Sequence, residues 1–217
     1  MLQMGDGLKL VAGDHLQGTI MWWAQGPDAA TIGMVMVPHA LQGRGLGGQL
    51  MKAAVAANAG KVLRLNATPE GLALYEQSGF RAVGLTHQNQ GIARMPQAPA
   101  DHVMLVNRSF AGQIIALDQR ATRLDRKAIL DTLMQVSDIA IVRDAHGALV
   151  GFALCRVFGM GRAIGPLIAP DATTAKALIT FFLHRYAGPF LRIDTPASHP
   201  LSPWLAAPGP AAVPPAT

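Results

Sequence analysis

A glycine-rich basic segment after a short apolar run is the feature of this sequence that most constrains its fold. The run Thr31–Val37 has the length and composition of a buried strand, and Pro38 ends it. The segment Gln42–Gly48 then holds four glycines and the cation Arg44. Glycine permits positive φ angles and close approach of a ligand, and the next predicted helix directs unpaired N–H groups at the same point. The pattern therefore predicts a strand, loop and helix that bind a diphosphate, with an ordinary strand-to-helix turn as the alternative.

Two other phosphate-binding loops fit this segment less well. The spacing Gly43-x-Gly45-x-x-Gly48 matches a dinucleotide fingerprint, but that fold also needs an acidic residue after the next strand, about 20 residues on. The next predicted strand, Lys61–Asn66, is followed by no carboxylate at that position. A mononucleotide P-loop needs a lysine after its last glycine, and Gln49 stands there. A dinucleotide-binding oxidoreductase is therefore the third of three functional hypotheses.

Two motifs occur in a fixed order in the first half of the chain. The first is Val37-Pro38-x-x-x-Gln42-x-x-Gly45-x-Gly47, and the second is Leu72–Phe80, in which Tyr75 is followed by Gly79-Phe80. They resemble the Q/R-x-x-G-x-G/A loop and the Tyr-x-x-x-Gly-Phe helix of the GCN5-related N-acetyltransferases, the GNAT superfamily. Tyr75 follows Gly47 by 28 residues. The resemblance is strong over residues 8–91 and weaker beyond them.

The resemblance implies an acetyl-CoA site and a role for each matched residue. Backbone groups of the strand before the loop would pair with the pantetheine arm as another strand does, and the loop amides would hold the diphosphate. Tyr75 would be the catalytic general acid that protonates the departing CoA thiolate, although it could instead only pack beneath the sheet. The implied cofactor-binding residues are Val35, Val37, Gln42, Gly43, Arg44, Gly45, Leu46, Gly47, Gly48, Asn66 and Thr68.

The sequence departs from the family pattern at two functional positions. Relatives often carry an asparagine seven residues before the tyrosine, where this chain has Thr68, with Asn66 two residues earlier. Relatives also often supply a carboxylate base from the strand before the loop, and Thr31–Val37 holds no acid. The general base is therefore unassigned. Three nearby residues are candidates, although surface-turn, solvated or capping roles suit them better: His39, Asp28 and Glu70.

The element order of the first half predicts a mixed α/β (α+β) fold with a twisted, largely antiparallel sheet flanked by helices. We assign residues 1–95 to an acetyl-CoA-binding domain that lacks the family's opening strand and helices, since only 30 residues precede Thr31. Thr68 is expected to cap the tyrosine helix and Gly79 to close it. The predicted elements are strands Leu8–Ala12, Thr19–Ala24, Thr31–Val37, Lys61–Asn66 and Phe80–Thr86, and helices Gln49–Ala59 and Glu70–Gln77.

Residues 96–205, after a proline-containing link at Met95–Ala100, resemble a second GNAT half of acetyltransferase type 18, with Gly165–Ala169 as the local feature. Its junction Pro170–Thr174 has no glycine, and Asp171 would repel a diphosphate. We expect this half to pack and shape the substrate site rather than to form a second active site, and residues 206–217 to be a disordered tail. Its predicted elements are strands Val103–Asn107, Ile139–Arg143, Val150–Val157, Ala163–Ala169 and Leu191–Thr195, and helices Arg123–Gln135 and Thr174–Tyr186.

Composition argues against several other classes of protein. No apolar run reaches the roughly 18–20 residues of a membrane helix, and the formal charge of +5 is not clustered, so neither a membrane nor a nucleic-acid partner is expected. The single Cys155 cannot form an internal disulfide, which indicates a cytoplasmic protein with an inert core thiol. No metal site is expected, and a homo-oligomer is possible.

The sequence thus predicts an acetyl-CoA-dependent N-acetyltransferase, an acyltransferase that moves the acetyl group to a small-molecule or peptide amine by direct attack. The alternative hypothesis is an acyl-CoA-binding or regulatory protein with little turnover. Trp22 and Trp23 are adjacent on one predicted strand and must face opposite sides of the sheet. One belongs in the core, and the other is a candidate to line the acceptor groove.

Overall fold

The structure is a computed structural model that describes residues 5–92 and 102–206. These residues form two compact units. The first comprises the described residues up to Val83 together with Leu124–Ile129, and the second comprises Gly84–Arg123 and the described residues from Leu130 onward. The link at residues 95–100 and the tail beyond Ala206, including its predicted disorder, lie outside the described residues.

The first unit is a four-stranded sheet, in the order β1-β2-β3-β4, with two helices. Strands β1 to β3 are antiparallel, as predicted, and β4 runs parallel to β3. Helix α1 packs on one face, where Ile20, Trp22 and Ile32 form a core with its residues Leu50, Met51 and Ala54. The elements are β1 (Asp6–Ala12), β2 (His15–Ala24), β3 (Ala29–Met36), α1 (Leu46–Ala57), β4 (Val62–Arg64) and α2 (Leu72–Gln77).

The second unit is a six-stranded mixed sheet in the order β5-β10-β9-β8-β7-β6. Its largest core lies between the sheet and α5, where Phe182 and Leu178 are completely buried. The elements are β5 (Thr86–Ile92), β6 (Val103–Val106), α3 (Ala111–Thr122), α4 (Lys127–Gln135), β7 (Ser137–Arg143), β8 (Leu149–Phe158), β9 (Gly161–Ile168), α5 (Ala172–Arg185), β10 (Phe190–Pro196) and α6 (Leu201–Ala206). The predicted class, mixed α/β sheets flanked by helices in two halves, is confirmed.

The strand predicted over Phe80–Thr86 is wrong. Phe80 packs instead against Tyr75, edge to face, and Val83 is fully exposed. The strand starts at Thr86, and all seven residues of β5 pair with β10, so their partner is about a hundred positions away in sequence. The structural units therefore divide between Val83 and Gly84, whereas the domain boundary at residue 95 stays a prediction.

The helix predicted over Arg123–Gln135 is shorter in the structure, where only α4 (Lys127–Gln135) falls within it. Arg123 has a left-handed backbone, with φ of 60°, which ends α3, and α4 begins only at Lys127. Helix α3 was not predicted from the sequence. A 3-10 turn leads into it, and the Asn107 side chain caps that turn by accepting a hydrogen bond from the Ser109 amide at 2.9 Å. Helix α6 was not predicted either, and its last residue, Ala206, belongs to the tail that was expected to be disordered.

Within the described residues, no helix has both the length and the apolar character needed to cross a membrane.

Candidate functional site

The parallel pair β3 and β4 separates shortly after it starts. Only Ala29, Ala30 and Thr31 of β3 face partners on β4, namely Val62, Leu63 and Arg64. Strand β3 continues to Met36 while pairing with β2 on its other side. The edge of β3 beyond Thr31 therefore lacks a β4 partner and can accept an extended chain with amide groups, as an added strand.

A bulge lies in the part of β3 that has separated from β4. Gly33 faces Met21 and Met36 faces Thr19, so Met34 and Val35 together oppose the single residue Ile20. Met34 has φ of 53°, and its carbonyl accepts a hydrogen bond from Thr19 Oγ1 at 3.1 Å. A bulge redirects the backbone groups of one strand and is frequent beside active sites. This bulge was not predictable from the sequence, because a methionine rarely adopts this conformation.

The loop after β3 has the backbone geometry expected of an anion cradle. Gly43 and Gly45 have φ of 76° and 77°, which glycine adopts without strain. A Cβ atom on either residue would meet no atom within 4 Å, so the space in front of both is open. Gly45 is the residue before α1, and no side chain caps that helix. The first N–H groups of α1 are thus directed into the open space, beside the exposed side chain of Arg44.

Two predicted loop residues have different roles in the structure. Helix α1 starts at Leu46, so Gly47 and Gly48 belong to its first turn rather than to the loop. A Cβ atom on Gly47 would lie 3.0 Å from Leu74 Cδ2, whereas one on Gly48 would meet nothing. Gly47 therefore allows α1 and α2 to approach each other, whereas a side chain at Gly48 would point into open space.

The side chain of Gln42 holds the loop against the end of β3. Its Nε2 donates a hydrogen bond to the Val37 carbonyl at 3.1 Å. Val35 and Val37 are half-buried, and both pack on the α1 core. The loop is therefore held in position by a hydrogen bond within the chain. The carbonyl of Val37 is already occupied and would have to leave Gln42 before it could pair with a ligand.

Tyr75 lies half-buried on α2 and contributes to the same core as α1. Its ring meets Phe80 edge to face, with centroids 6.4 Å apart. The predicted closure at Gly79 is confirmed: this glycine has φ of 89°, and the following Phe80 amide donates to the Tyr75 carbonyl at 3.0 Å. Burial raises the pKa of Tyr75 above its usual value of 10. The hydroxyl therefore stays protonated throughout the neutral range.

The expected cap by Thr68 is wrong. A 3-10 turn, Pro69–Gly71, precedes α2, and the Thr68 side chain bonds no helix amide. It bonds the Glu70 carboxylate instead, and the pKa of Glu70 is lowered, first by its own backbone amide and then by Thr68. Asn66 and Thr68 are exposed beyond the end of β4. Both are placed on the β4 side of the separation, but the Thr68 hydroxyl already has a partner.

The corresponding junction of the second unit has different chemistry. Strand β9 also has a bulge, where Gly165 and Pro166 together oppose Leu154, but proline has no N–H to offer there. At the start of α5, Asp171 Oδ1 accepts a hydrogen bond from the Thr174 amide at 2.7 Å. A carboxylate therefore occupies the helix N-terminus that a diphosphate would need.

The remaining sequence predictions concern Cys155, metals and the base. Cys155 is completely buried, and its burial raises the thiol pKa to about 11, so it is an unreactive core residue. Among the described residues, no three His, Cys, Asp or Glu side chains form a group that could hold a metal ion. His39 is exposed in a 3-10 turn. No geometry selects it, Asp28 or Glu70 as the general base.

Both halves of the chain match known protein families, and the two families have the same description. Residues 5–98 match one family described as an acetyltransferase (GNAT) domain, and residues 114–212 match a second family of the same description. The uncharacterized N-acetyltransferase YitH of Bacillus subtilis (strain 168) is 32% identical over 175 residues, which cover 78% of this chain and 61% of YitH.

Two solved structures have the same fold. A putative acetyltransferase from Pyrococcus horikoshii aligns with a TM-score of 0.75 and 23% identity, over 88% of this chain and 64% of that protein. A tandem GNAT protein from the clavulanic acid biosynthesis pathway aligns with a TM-score of 0.61 and 17% identity, over 93% of this chain and 78% of that protein. The chain thus spans less than two thirds of the length of YitH and of the archaeal protein.

Proposed function

Since this chain belongs to the GNAT acetyltransferases and carries two such domains in tandem, we propose that its first unit binds acetyl-CoA and transfers the acetyl group to an amine. The observation that carries the proposal is the sequence of three features along one strand and its loop. Strand β3 separates from β4, a bulge follows at Met34, and the open cradle of Gly43 and Gly45 comes next. An anionic cofactor with an extended amide arm fits that order.

In this proposal, backbone groups and one cation bind the diphosphate of acetyl-CoA. The Gln42 amide already donates to the His39 carbonyl at 3.2 Å, so the N–H groups from Gly43 to Gly48 are left for the diphosphate, together with the positive end of the α1 dipole and the charge of Arg44. A charge at a helix N-terminus contributes typically about 0.3–1 kcal/mol, and several donors share the diphosphate. Asn66 and Thr68 lie on the opposite side of the separation, where they can contact the arm.

In this proposal, strand β3 orients the thioester of acetyl-CoA. The backbone of Val35 and Val37 pairs with the pantetheine arm along the edge that β4 leaves open, and we expect the acetyl group to lie near the bulge, beside Val35. Acetyl-CoA supplies the thioester carbon that the amine attacks. As the bond from carbon to sulfur breaks, Tyr75 donates its hydroxyl proton to the departing sulfur, and its raised pKa keeps it protonated until that point. The proton that the attacking amine loses passes to solvent, from which Tyr75 is reprotonated.

The second candidate is an acyl-CoA-binding or regulatory protein with little turnover. The observation in its favour is that Thr31–Val37 carries no carboxylate base. Turnover separates the two candidates, because both bind acetyl-CoA. The test is an assay of free thiol release from acetyl-CoA with a panel of amines. Release that depends on an added amine supports the enzyme, and tight binding without release by any amine supports the binding protein.

We also propose a cytoplasmic protein that acts on a small-molecule or peptide amine, without nucleic-acid or membrane partners. The buried single cysteine and the absence of clustered charge along the sequence support this setting.

A titration of the whole chain with acetyl-CoA should give one site per chain. The first junction offers glycines, Arg44 and an uncapped helix, whereas the second offers Pro166 and the Asp171 carboxylate, which already caps α5. Isothermal calorimetry measures the stoichiometry directly. Two sites of comparable affinity would contradict the view that the second half shapes the substrate site without binding the cofactor.

A further inference from the structure

The side chain of Trp23 lies on the face of the first sheet that α1 does not cover. Its neighbour Trp22 belongs to the α1 core, and successive residues of a strand point to opposite faces. Trp23 is half-buried and faces Thr31 across β2 and β3. Of the two tryptophans singled out in the sequence, Trp22 is therefore the core residue, and Trp23 is the candidate to line the acceptor groove.

Two glycines make room for the indole of Trp23 on this face. A Cβ atom on Gly33 of β3 would lie 3.1 Å from Trp23 Cζ3, and one on Gly5 would lie 2.7 Å from Trp23 Nε1. Gly33 has no positive φ, so its backbone conformation does not require glycine. The absence of a side chain at Gly33 instead leaves space for the indole ring. The two contacts lie at opposite ends of the indole. The ring therefore lies across the strands of this face.

The surroundings of this ring are apolar or cationic. Thr19 pairs with Met36 and with Lys9, and Arg64 pairs with Thr31, so these side chains share the face with Trp23. Met36 is 52% exposed, which shows that the face is open at this point. None of the strand residues paired on this face in the described part of the first unit is a carboxylate. The charges on these strands therefore do not favour a polyamine.

From this placement we infer that Trp23 is an acceptor-binding residue, and that the acceptor is an amine carried on a planar apolar body such as an aryl group. The inference rests on the proposed function, which places the acetyl group beside Val35, two residues after Gly33. Tyr75 lies with the α1 core, so it reaches the thioester from one side of the sheet. The open face with Trp23 leaves the other side to the amine.

Acetylation of 2-phenylethylamine and of spermidine by the full chain tests this inference. We expect a kcat/KM at least tenfold higher for 2-phenylethylamine. An aromatic pair contributes a factor of about 2–13, and the half-buried ring adds apolar contact, so Trp23→Ala should raise KM for 2-phenylethylamine about tenfold with kcat little changed. Trp23→Phe keeps a ring and should recover most of the loss. Trp204→Phe, in the second unit, is the matched control and should change nothing.

Fluorescence provides a reading without turnover. In the CoA complex, 2-phenylethylamine should change the tryptophan emission of the parent protein and not that of Trp23→Phe. A preference for spermidine, an unchanged KM in Trp23→Ala, or no emission change would each overturn the inference. Calorimetry with acetyl-CoA separates failure of this inference from failure of the proposed function. If acetyl-CoA binds, any of these three results removes only the role of Trp23. If acetyl-CoA does not bind, the proposed function fails as well.

Discussion

Replacement of Gly45 by valine is expected to abolish acetyl-CoA binding. Gly45 has φ of 77°, which a β-branched residue adopts only with strain, and its Cα faces the open space that the diphosphate would fill. A ligand that binds only the folded state, at 100 times its dissociation constant, stabilises it by about 2.7 kcal/mol. The parent protein should therefore melt at a higher temperature with acetyl-CoA, and the Gly45→Val variant should not respond. Calorimetry should show no heat of binding for the variant.

Gly60 provides a matched control for this experiment. It has φ of 82° and equally open surroundings, but it follows the C-terminal end of α1, about 18 Å from the cradle along a helix of this length. Gly60→Val should lose a similar amount of stability from backbone strain and keep its affinity for acetyl-CoA. If Gly45→Val binds as tightly as Gly60→Val, the cradle is not the diphosphate site.

Replacement of Tyr75 by phenylalanine should lower turnover by roughly 10²-fold, the low end for the loss of one general acid. The affinity for acetyl-CoA should hardly change, because the ring remains packed against Phe80. The second tyrosine, Tyr186, hydrogen-bonds Asp138 in the other unit, so Tyr186→Phe is the control and should keep the parent rate. Steady-state kinetics with any accepted amine measure the effect.

The pH dependence gives an independent reading of the same residue. A general acid works only while it is protonated, and burial raises the pKa of Tyr75 above 10. The parent rate should therefore fall only as the pH rises through that raised pKa, and Tyr75→Phe should lack this alkaline limb. An unchanged rate in the variant would reduce Tyr75 to a packing residue.

The parts of the fold that were predictable from sequence are those specified by nearby residues. The run Thr31–Val37, the glycines after it and the Ala-rich stretch that follows correspond to β3, the cradle and α1, because turn chemistry and helix propensity act over a few positions. The short helix that carries Tyr75 and its closure at Gly79 were predictable for the same reason. The family resemblance indicated the function of these elements, but it did not indicate their geometry.

The parts that were missed depend on distant partners. Strand β5 is polar and has no clear periodicity, and only its pairing with β10 makes it a strand. The bulge at Met34 arises from the register between β2 and β3, which single residues do not encode. The bond between Thr68 and Glu70 replaced the expected helix cap because a 3-10 turn placed the two side chains together. Local propensity does not contain this information.

Amide hydrogen exchange with and without acetyl-CoA tests the central claim most directly, since the claim is that backbone groups of the first unit hold the cofactor. Acetyl-CoA should slow exchange in the segment from Val35 to Gly48 and leave the corresponding segment of the second unit, from Gly165 to Thr174, unchanged. Protection of the second segment, or of neither segment under conditions in which acetyl-CoA is bound, would contradict the account.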